Sequence, residues 1–195
     1  MYGKVALIRI ATEADAAACH AIYAPVVETS AITFETDLPG EQAMRGRISA
    51  RLATHPWLVW EEDGEVLAYA YAGRFRERAA YDWIAEASIY VHEGARRRGI
   101  ARRLYGALLG TMRLQGINQA VGVITLPGST SVAMHEAMGF APAGVWPKAG
   151  YKLGQWWDVG VWSLFLSEPE TPPRPVIPFA ELVGSAELAA LLTQA

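Results

Sequence analysis

A carboxylate set among small and β-branched residues is the feature of this chain best suited to chemistry. Glu86 sits in Trp83-Ile84-Ala85-Glu86-Ala87-Ser88-Ile89-Tyr90-Val91, whose β-branched and aromatic content reads as a strand. Burial in such a strand would strip water from the carboxyl, raise its pKa and let it take a proton from an amine near neutral pH. The plain alternative is a glutamate that faces solvent. After a turn at Glu93-Gly94 comes Arg96-Arg97-Arg98-Gly99-Ile100-Ala101-Arg102-Arg103. From Gly99 the period changes, and Ile100, Leu104, Leu108 and Met112 recur every four residues, one face of a helix. A helix start offers unpaired N–H groups and the positive end of a dipole, and Gly99 admits close approach to the backbone. Together these make a seat for a pyrophosphate beside a candidate base, an arrangement that points to acyl-coenzyme A chemistry.

The elements that must hold this pair follow from the remaining pattern. Val5 to Ile10 reads as a first strand, and Thr12 with Asp15 forms a capping-box-like opening to a helix through Ala17, Ile22 and Val26. Pro25 is expected to kink that helix or end it early. Thr29 to Leu38 has no helical period and carries Phe34, either a plug for the core or a residue facing substrate. Met44, Ile48 and Leu52 mark a second helix after Pro39-Gly40. Trp57 to Glu62, Asp63-Gly64 and Glu65 to Tyr71 form a hairpin signal, because Asp-Gly supplies the positive φ of a tight turn. Arg74 to Tyr81 brings Arg74, Arg76 and Arg78 with two aromatics onto a connection; such arginines are usually solvated, and here they also suit an anionic substrate.

Beyond the cofactor helix, Gly116 fits a C-cap and Ala120 to Thr125 a buried strand, broken by Leu126-Pro127-Gly128. A fourth helix runs from Ser129 to Met138 and closes at Gly139. Val145-Trp146 and Val159 to Leu166 read as a closing hairpin around a long Gly/Lys/Trp loop. From Pro169 the composition turns Pro-rich, which predicts an extended arm with few internal contacts and a short helix from Ala186 to Leu192. The division is residues 1–168 as one domain and 169–195 as the arm, with no internal repeat.

Composition narrows the classes. At 195 residues, 52% hydrophobic with seven Trp and eight Tyr, the chain can bury a core without staples. A net charge of −3 gives no support to a nucleic-acid or anionic membrane partner. The single Cys19 fits a small buried side chain in a reducing compartment, and a cytoplasmic location is expected. No run approaches the ~18 apolar residues of a membrane span, and a signal peptide is not expected. No metal site is expected.

Arg96-x-x-Gly99-x-Ala101 after this strand resembles the cofactor motif of the GNAT N-acetyltransferases. Phe75 to Tyr81, Glu86-x-Ser88-x-Tyr90-Val91, Met134 to Phe140 and Trp157-Asp158-Val159-Gly160-x-Trp162 extend the similarity to the phosphinothricin acetyltransferase branch, from about Ile8 to Pro178. The resemblance implies an α/β (α+β) fold, a mixed and strongly twisted sheet with helices on both faces. It implies two strands, ending at Val91 and Thr125, that splay apart to admit the pantetheine arm of acetyl-CoA against the backbone of Ile89, Tyr90 and Val91. The diphosphate would then meet Arg96, Arg97, Arg98, Gly99, Ile100, Ala101 and Arg102. An oxyanion contact from a backbone N–H is implied near Val91, where this fold usually carries a bulge.

On the same resemblance Glu86 is the base, and His135 stands where most of the family has a tyrosine: acid, second base and substrate contact all remain open for it. Phe34, Arg76, Arg78, Tyr81 and Tyr90 are the implied acceptor contacts. One departure is Gly128, where the branch has Asn; Ser129 or Ser131 would have to replace the lost amide, and Ser131 is the implied cofactor contact. The function implied is N-acetylation of a small amino-acid-like amine, of the phosphinothricin or methionine sulfoximine and sulfone type, by a homodimer. The competing readings are a family member acting on a protein N-terminus or lysine, and a non-catalytic nucleic-acid module using the Arg96–Arg103 cluster.

Overall fold

The computed structural model describes residues 6–194. Its order is β1 (Ala6–Ile10), α1 (Ala16–Thr29), α2 (Glu41–Leu52), β2 (Trp57–Glu62), β3 (Glu65–Arg74), β4 (Ile84–Val91), α3 (Ile100–Leu114), β5 (Gln119–Thr125), α4 (Ser129–Ala137), β6 (Ala141–Lys152), β7 (Gln155–Phe165), α5 (Phe179–Leu182) and α6 (Ala186–Gln194). The seven strands form one mixed sheet in the order β1-β2-β3-β4-β5-β7-β6, antiparallel except where β4 meets β5. Val5 lies outside the described residues; the rest of the first strand is as expected.

Each face of the sheet has its own core. The alternation of β4 sends Ala85 and Ala87 to one face, where they pack with Ile100, Leu104, Leu108 and Met112 of α3. The other face carries Trp57, Val59 and Tyr69 beneath Ile22, Tyr23 and Val26 of α1 and Met44 and Ile48 of α2. The aromatics here form a continuous layer: Trp57 stacks on Tyr71 at 4.5 Å, Tyr69 on Tyr90 at 5.2 Å, and Tyr23 meets Tyr90 edge-on at 5.0 Å. Cys19 is buried in this layer, which pushes its thiol up to about 12. The folded protein should therefore be inert to a disulfide reagent and release one titratable thiol on unfolding; rapid native-state reaction would contradict the packing.

Local chemistry explains the turns. Asp63 (φ 53°) and Gly64 (φ 84°) are both left-handed, the requirement of the two-residue turn joining β2 to β3. The same turn, Leu153 (φ 53°) and Gly154 (φ 79°), joins β6 to β7, and here the expected long loop is wrong. The two strands run to Lys152 and from Gln155, and register shifts between Pro142 and Gly144 and between Trp146 and Gly150 absorb the residues that interrupt the alternation. Within the second shift the Lys148 N–H donates to the Asp158 carboxylate at 2.8 Å.

Two further expectations are corrected. Pro25 lies inside α1, which continues to Thr29. The carbonyl it cannot serve belongs to Ala21, an exposed residue, while Ile22, Tyr23, Val26 and Val27 on the opposite side hold the helix to the sheet. The Pro-rich arm is not short of internal contacts: Phe179 and Leu188 are fully buried, Ile177 N–H donates to the Gln115 carbonyl at 2.8 Å, and Leu191 of α6 lies over Gly110 of α3. Sequence composition describes the backbone of such an arm and is silent on what its few apolar residues reach.

Candidate active site

β4 and β5 pair only over Ile84–Glu86 and Gln119–Val121, then part. The backbone of β4 alternates between its neighbours. His92 N–H bonds the Leu67 carbonyl on the β3 side, and the Ala87 carbonyl meets the Tyr105 hydroxyl on the other. By that alternation the N–H and C=O groups of Ile89 and Val91 point into the gap, where no strand pairs with them. Such groups bond an extended ligand as an added strand would. The pairing of β3 with β4 shows no shift from Ala68–Val91 to Arg74–Ala85, so the bulge expected near Val91 is absent; the bulge of this region lies in β2–β3, at Trp60/Glu61.

The gap opens toward the start of α3. Gly99 caps that helix at φ 80°, a conformation that favours glycine, and a Cβ there would meet nothing within 4 Å. The first N–H groups of α3, from Ile100 to Arg102, have no carbonyl of their own helix to bond. Arg96, Arg97 and Arg102 are exposed around this end. Arg98 is committed elsewhere: its guanidinium bonds both oxygens of the buried Glu62, at 2.5 and 2.7 Å. Arg103 lies over the Trp60 ring at 4.7 Å. Arg98→Glu therefore tests the fold as well as the cofactor seat. That variant sets a like charge against a buried carboxylate and should lower the melting temperature by several degrees, whereas Arg97→Glu should leave it within about a degree. Equal melting points for the two would remove Arg98 from the fold's support.

Glu86 is half-buried between the fully buried Ala85 and Ala87, on the α1/α2 face. Among the described residues no hydrogen bond satisfies its carboxylate. Burial raises its pKa, and the positive charge of Arg51 works against that rise. On this face lies a cavity of about 200 Å³ lined by Tyr23, Glu35, Met44, Arg47, Arg51, Trp57, Tyr69 and Tyr71. The α1–α2 loop is tied beside it: the Tyr23 hydroxyl meets Thr33 Oγ1 at 2.7 Å, Arg47 pairs with Glu35 at 2.7 Å, and Lys152 Nζ donates to the Thr33 carbonyl at 2.8 Å. The far edge of the Phe34 ring meets Gly150 of β6, so closely that a Cβ there would collide with it. A larger cavity, about 500 Å³, runs along the seam between the arm and the start of β4, past His55, Arg74 and Trp83. Four of its lining residues, Pro173, Pro175, Val176 and Pro178, belong to the arm, so its size reflects how the arm lies on the body.

On the opposite face His135 is buried beneath Tyr105, over Gly122 of β5. Its Nδ1–H donates to the Ser131 carbonyl at 2.8 Å, and its Nε2 lies 3.1 Å from the Tyr105 hydroxyl, which is also 3.2 Å from the Ala87 carbonyl. Neutral His135 can only accept at Nε2, so it competes with Ala87 for the one tyrosine proton. Charged His135 donates at Nε2 and frees that proton for Ala87. Burial lowers the His135 pKa, with the Ser131 bond opposing, and burial raises that of Tyr105. Both ring nitrogens are engaged inside the protein, Nδ1 with the Ser131 carbonyl and Nε2 with the Tyr105 hydroxyl.

Of the other anticipated residues, Ser131 holds His135 through its carbonyl, and Tyr90 belongs to the aromatic layer. Arg76, Arg78 and Tyr81 are exposed on the connection after β3 and do not line the cavity; Arg76 lies over Phe75, and Tyr81 meets Phe75 edge-on. Gly128 adopts φ 35°, and a Cβ there would collide with the Thr125 carbonyl and with Ile124 Cγ2, so this backbone has no room for the family's Asn. Two site residues escaped the sequence reading, though each left a signal. Tyr105 adjoins Leu104 on the buried stripe, where a phenol needs a partner. Arg51 lies three residues from Ile48 and seven from Met44, a cation on the edge of an apolar helix face. No group of three potential metal ligands occurs among the described residues.

Comparison with known proteins agrees with this geometry. The acetyltransferase (GNAT) domain family matches residues 8–161. The phosphinothricin N-acetyltransferase of Streptomyces viridochromogenes is 41% identical over 175 residues, 90% of this chain and 95% of that one. The L-methionine sulfoximine/L-methionine sulfone acetyltransferase of Salmonella typhimurium is 31% identical, over 85% and 97% of the two chains. Among solved structures, a GNAT superfamily phosphinothricin acetyltransferase from Sinorhizobium meliloti, in complex with AcCoA, superposes with a TM-score of 0.83 at 34% identity, covering 89% of this chain and 96% of that one. With a parallel pair that splays beside a glycine-capped helix, and relatives matching across nearly their whole length, the chain belongs to the GNAT acetyltransferase family.

Proposed function

We propose that this protein transfers acetyl from acetyl-CoA to the amine of a small amino-acid-like acceptor, of the phosphinothricin or methionine sulfoximine and sulfone type. The observation that carries the reading is the half-buried carboxylate of Glu86, which has no hydrogen-bond partner among the described residues: it sits at the last β4–β5 pair before the gap and feels the charge of Arg51, which lines the small aromatic cavity. Bound in the gap, acetyl-CoA supplies an activated thioester. The N–H groups of Ile89 and Val91 hold its extended arm, and the start of α3 with Arg96, Arg97 and Arg102 meets the diphosphate. Glu86 takes the proton from the acceptor's ammonium, leaving a lone pair on nitrogen to form the C–N bond as the C–S bond breaks. The nitrogen sheds its second proton as the amide forms, and the departing sulfur needs one: the Tyr105 hydroxyl, backed by His135, protonates the sulfur and is restored by that proton from nitrogen.

The cavity supports a small acceptor over a protein chain end, since it measures about 200 Å³ and Glu35 of the α1–α2 loop, paired with Arg47, forms part of its wall. The Arg96–Arg103 cluster gives little to a nucleic-acid module, because Arg98 and Arg103 are turned to Glu62 and Trp60. We read residues 1–168 as the catalytic domain and 169–195 as an arm that braces it. A homodimer fits the exposed apolar side chains of the β6–β7 hairpin, Val145, Trp146 and Tyr151 on the edge strand β6, which would otherwise invite aggregation, and Trp156 beside them on β7. A buried free thiol suits the cytoplasm. A screen of amino-acid acceptors with acetyl-CoA, read by release of free thiol, tests the function; no turnover on any α-amino acid would refute it.

A further inference from the structure

Arg51 is the point where the cavity meets the base. It rises from α2 with its guanidinium 5.5 Å from the centre of the Tyr71 ring. It fills the space that a side chain at Gly73 would take, and Gly73 is the Cα partner of Glu86 across the β3–β4 pair. Directly opposed residues on one face hold their side chains about 5 Å apart, so Arg51 lies beside Glu86 with only the glycine between. Among the described residues no carboxylate forms an ion pair with Arg51. Arg47, the other cavity arginine, is already paired with Glu35. A half-buried guanidinium over an aromatic ring, with its fork open to a small cavity, is built to take a carboxylate in bidentate fashion.

We propose that Arg51 anchors the acceptor's α-carboxylate and, once neutralised by it, leaves Glu86 a stronger base for the adjacent amine. The inference rests on the acetyl-transfer reading above and specifies its acceptor site. In an α-amino acid one carbon bears both charged groups, so an anion at Arg51 puts the ammonium within reach of Glu86. An amine far from any carboxylate cannot satisfy both. The second half follows from proximity. Arg51's charge favours ionised Glu86 and so weakens it as a base, and an α-carboxylate on Arg51 cancels that field. The correct acceptor thereby raises the basicity of the group that deprotonates it, and a neutral amine does not.

The probes are L-methionine sulfone and its carboxamide, with acetyl-CoA, on the wild type and on Arg51→Met, Arg51→Lys and Arg78→Ala. Methionine keeps the aliphatic stem against Tyr71, and coenzyme A affinity serves as the control for folding. Arg51→Met should cut kcat/KM for the acid by about 10- to 100-fold, the usual worth of one charged hydrogen-bonded contact, mostly through KM. The carboxamide should change by about 3-fold or less, and Arg51→Lys should fall between. In Arg51→Met the acid limb of the carboxamide profile should move to higher pH, because Glu86 loses the cation that lowers its pKa. An acid-over-amide preference retained in Arg51→Met and lost in Arg78→Ala would overturn the assignment and move the anchor to the connection after β3. A wild type that acetylates neither probe nor any other α-amino acid would instead overturn the function itself, and this inference with it.

Discussion

Glu86→Gln should lower turnover by about two to four orders of magnitude, the share that general-base catalysis usually contributes. Glutamine keeps the shape and reach of the side chain and removes only its basicity. Coenzyme A affinity should scarcely move, since the gap and the start of α3 do not involve this carboxylate. The pH dependence has a definite sign. The base must be ionised, and burial raises the Glu86 pKa, so wild-type kcat/KM should climb through a limb lying above the ordinary carboxylate range. In Glu86→Gln that limb should vanish. The deficit should then shrink as pH rises, because more of the amine arrives already neutral. Turnover near the wild-type value at neutral pH would remove Glu86 as the base and leave the Tyr105–His135 pair as the proton carrier.

The cofactor side of the site was legible in the chain because it is local. A strand, a glycine and a helix start are consecutive in sequence, so Ile89, Val91, Gly99 and the arginines around them could be read off one stretch. The acceptor side is assembled from α1, its following loop, α2, β2 and β3, and no single stretch describes it. Arg51 becomes a neighbour of Glu86 only through the pairing of Gly73 with Glu86. Tyr105 becomes a neighbour of His135 only when α3 and α4 share one face. The same reason explains the misread elements. Pro25 weakens a helix locally, and buried Ile22, Tyr23, Val26 and Val27 restore it from outside. In the β6–β7 hairpin the twofold pattern is broken by shifts of register, so two long strands look like a loop.

Ending the chain after Glu168 should cost most of its stability, contrary to the view of the tail as an arm with few contacts of its own. The deleted residues include Phe179 and Leu188, both fully buried, each worth about 1.5–3 kcal/mol of transfer free energy. They also include the Ile177 carbonyl, which accepts from the buried Gln115 side-chain amide at 2.9 Å, and the Arg174 carbonyl, which accepts from the Trp83 indole N–H at 2.7 Å. Losing α6 uncovers the side of α3 around Gly110, and α3 also carries Tyr105. Against a total stability of about 5–15 kcal/mol for a domain, a loss near 5 kcal/mol leaves little margin. The truncated protein should melt at least about 10 °C lower, or accumulate as aggregate. Phe179→Ala tests the same packing without removing a segment and should cost about 3–5 kcal/mol, with oligomeric state unchanged. If instead the shortened chain melts where the full chain does, the tail is a passenger. If it stays folded but becomes monomeric, the tail serves the contact between two copies and not the body it lies on.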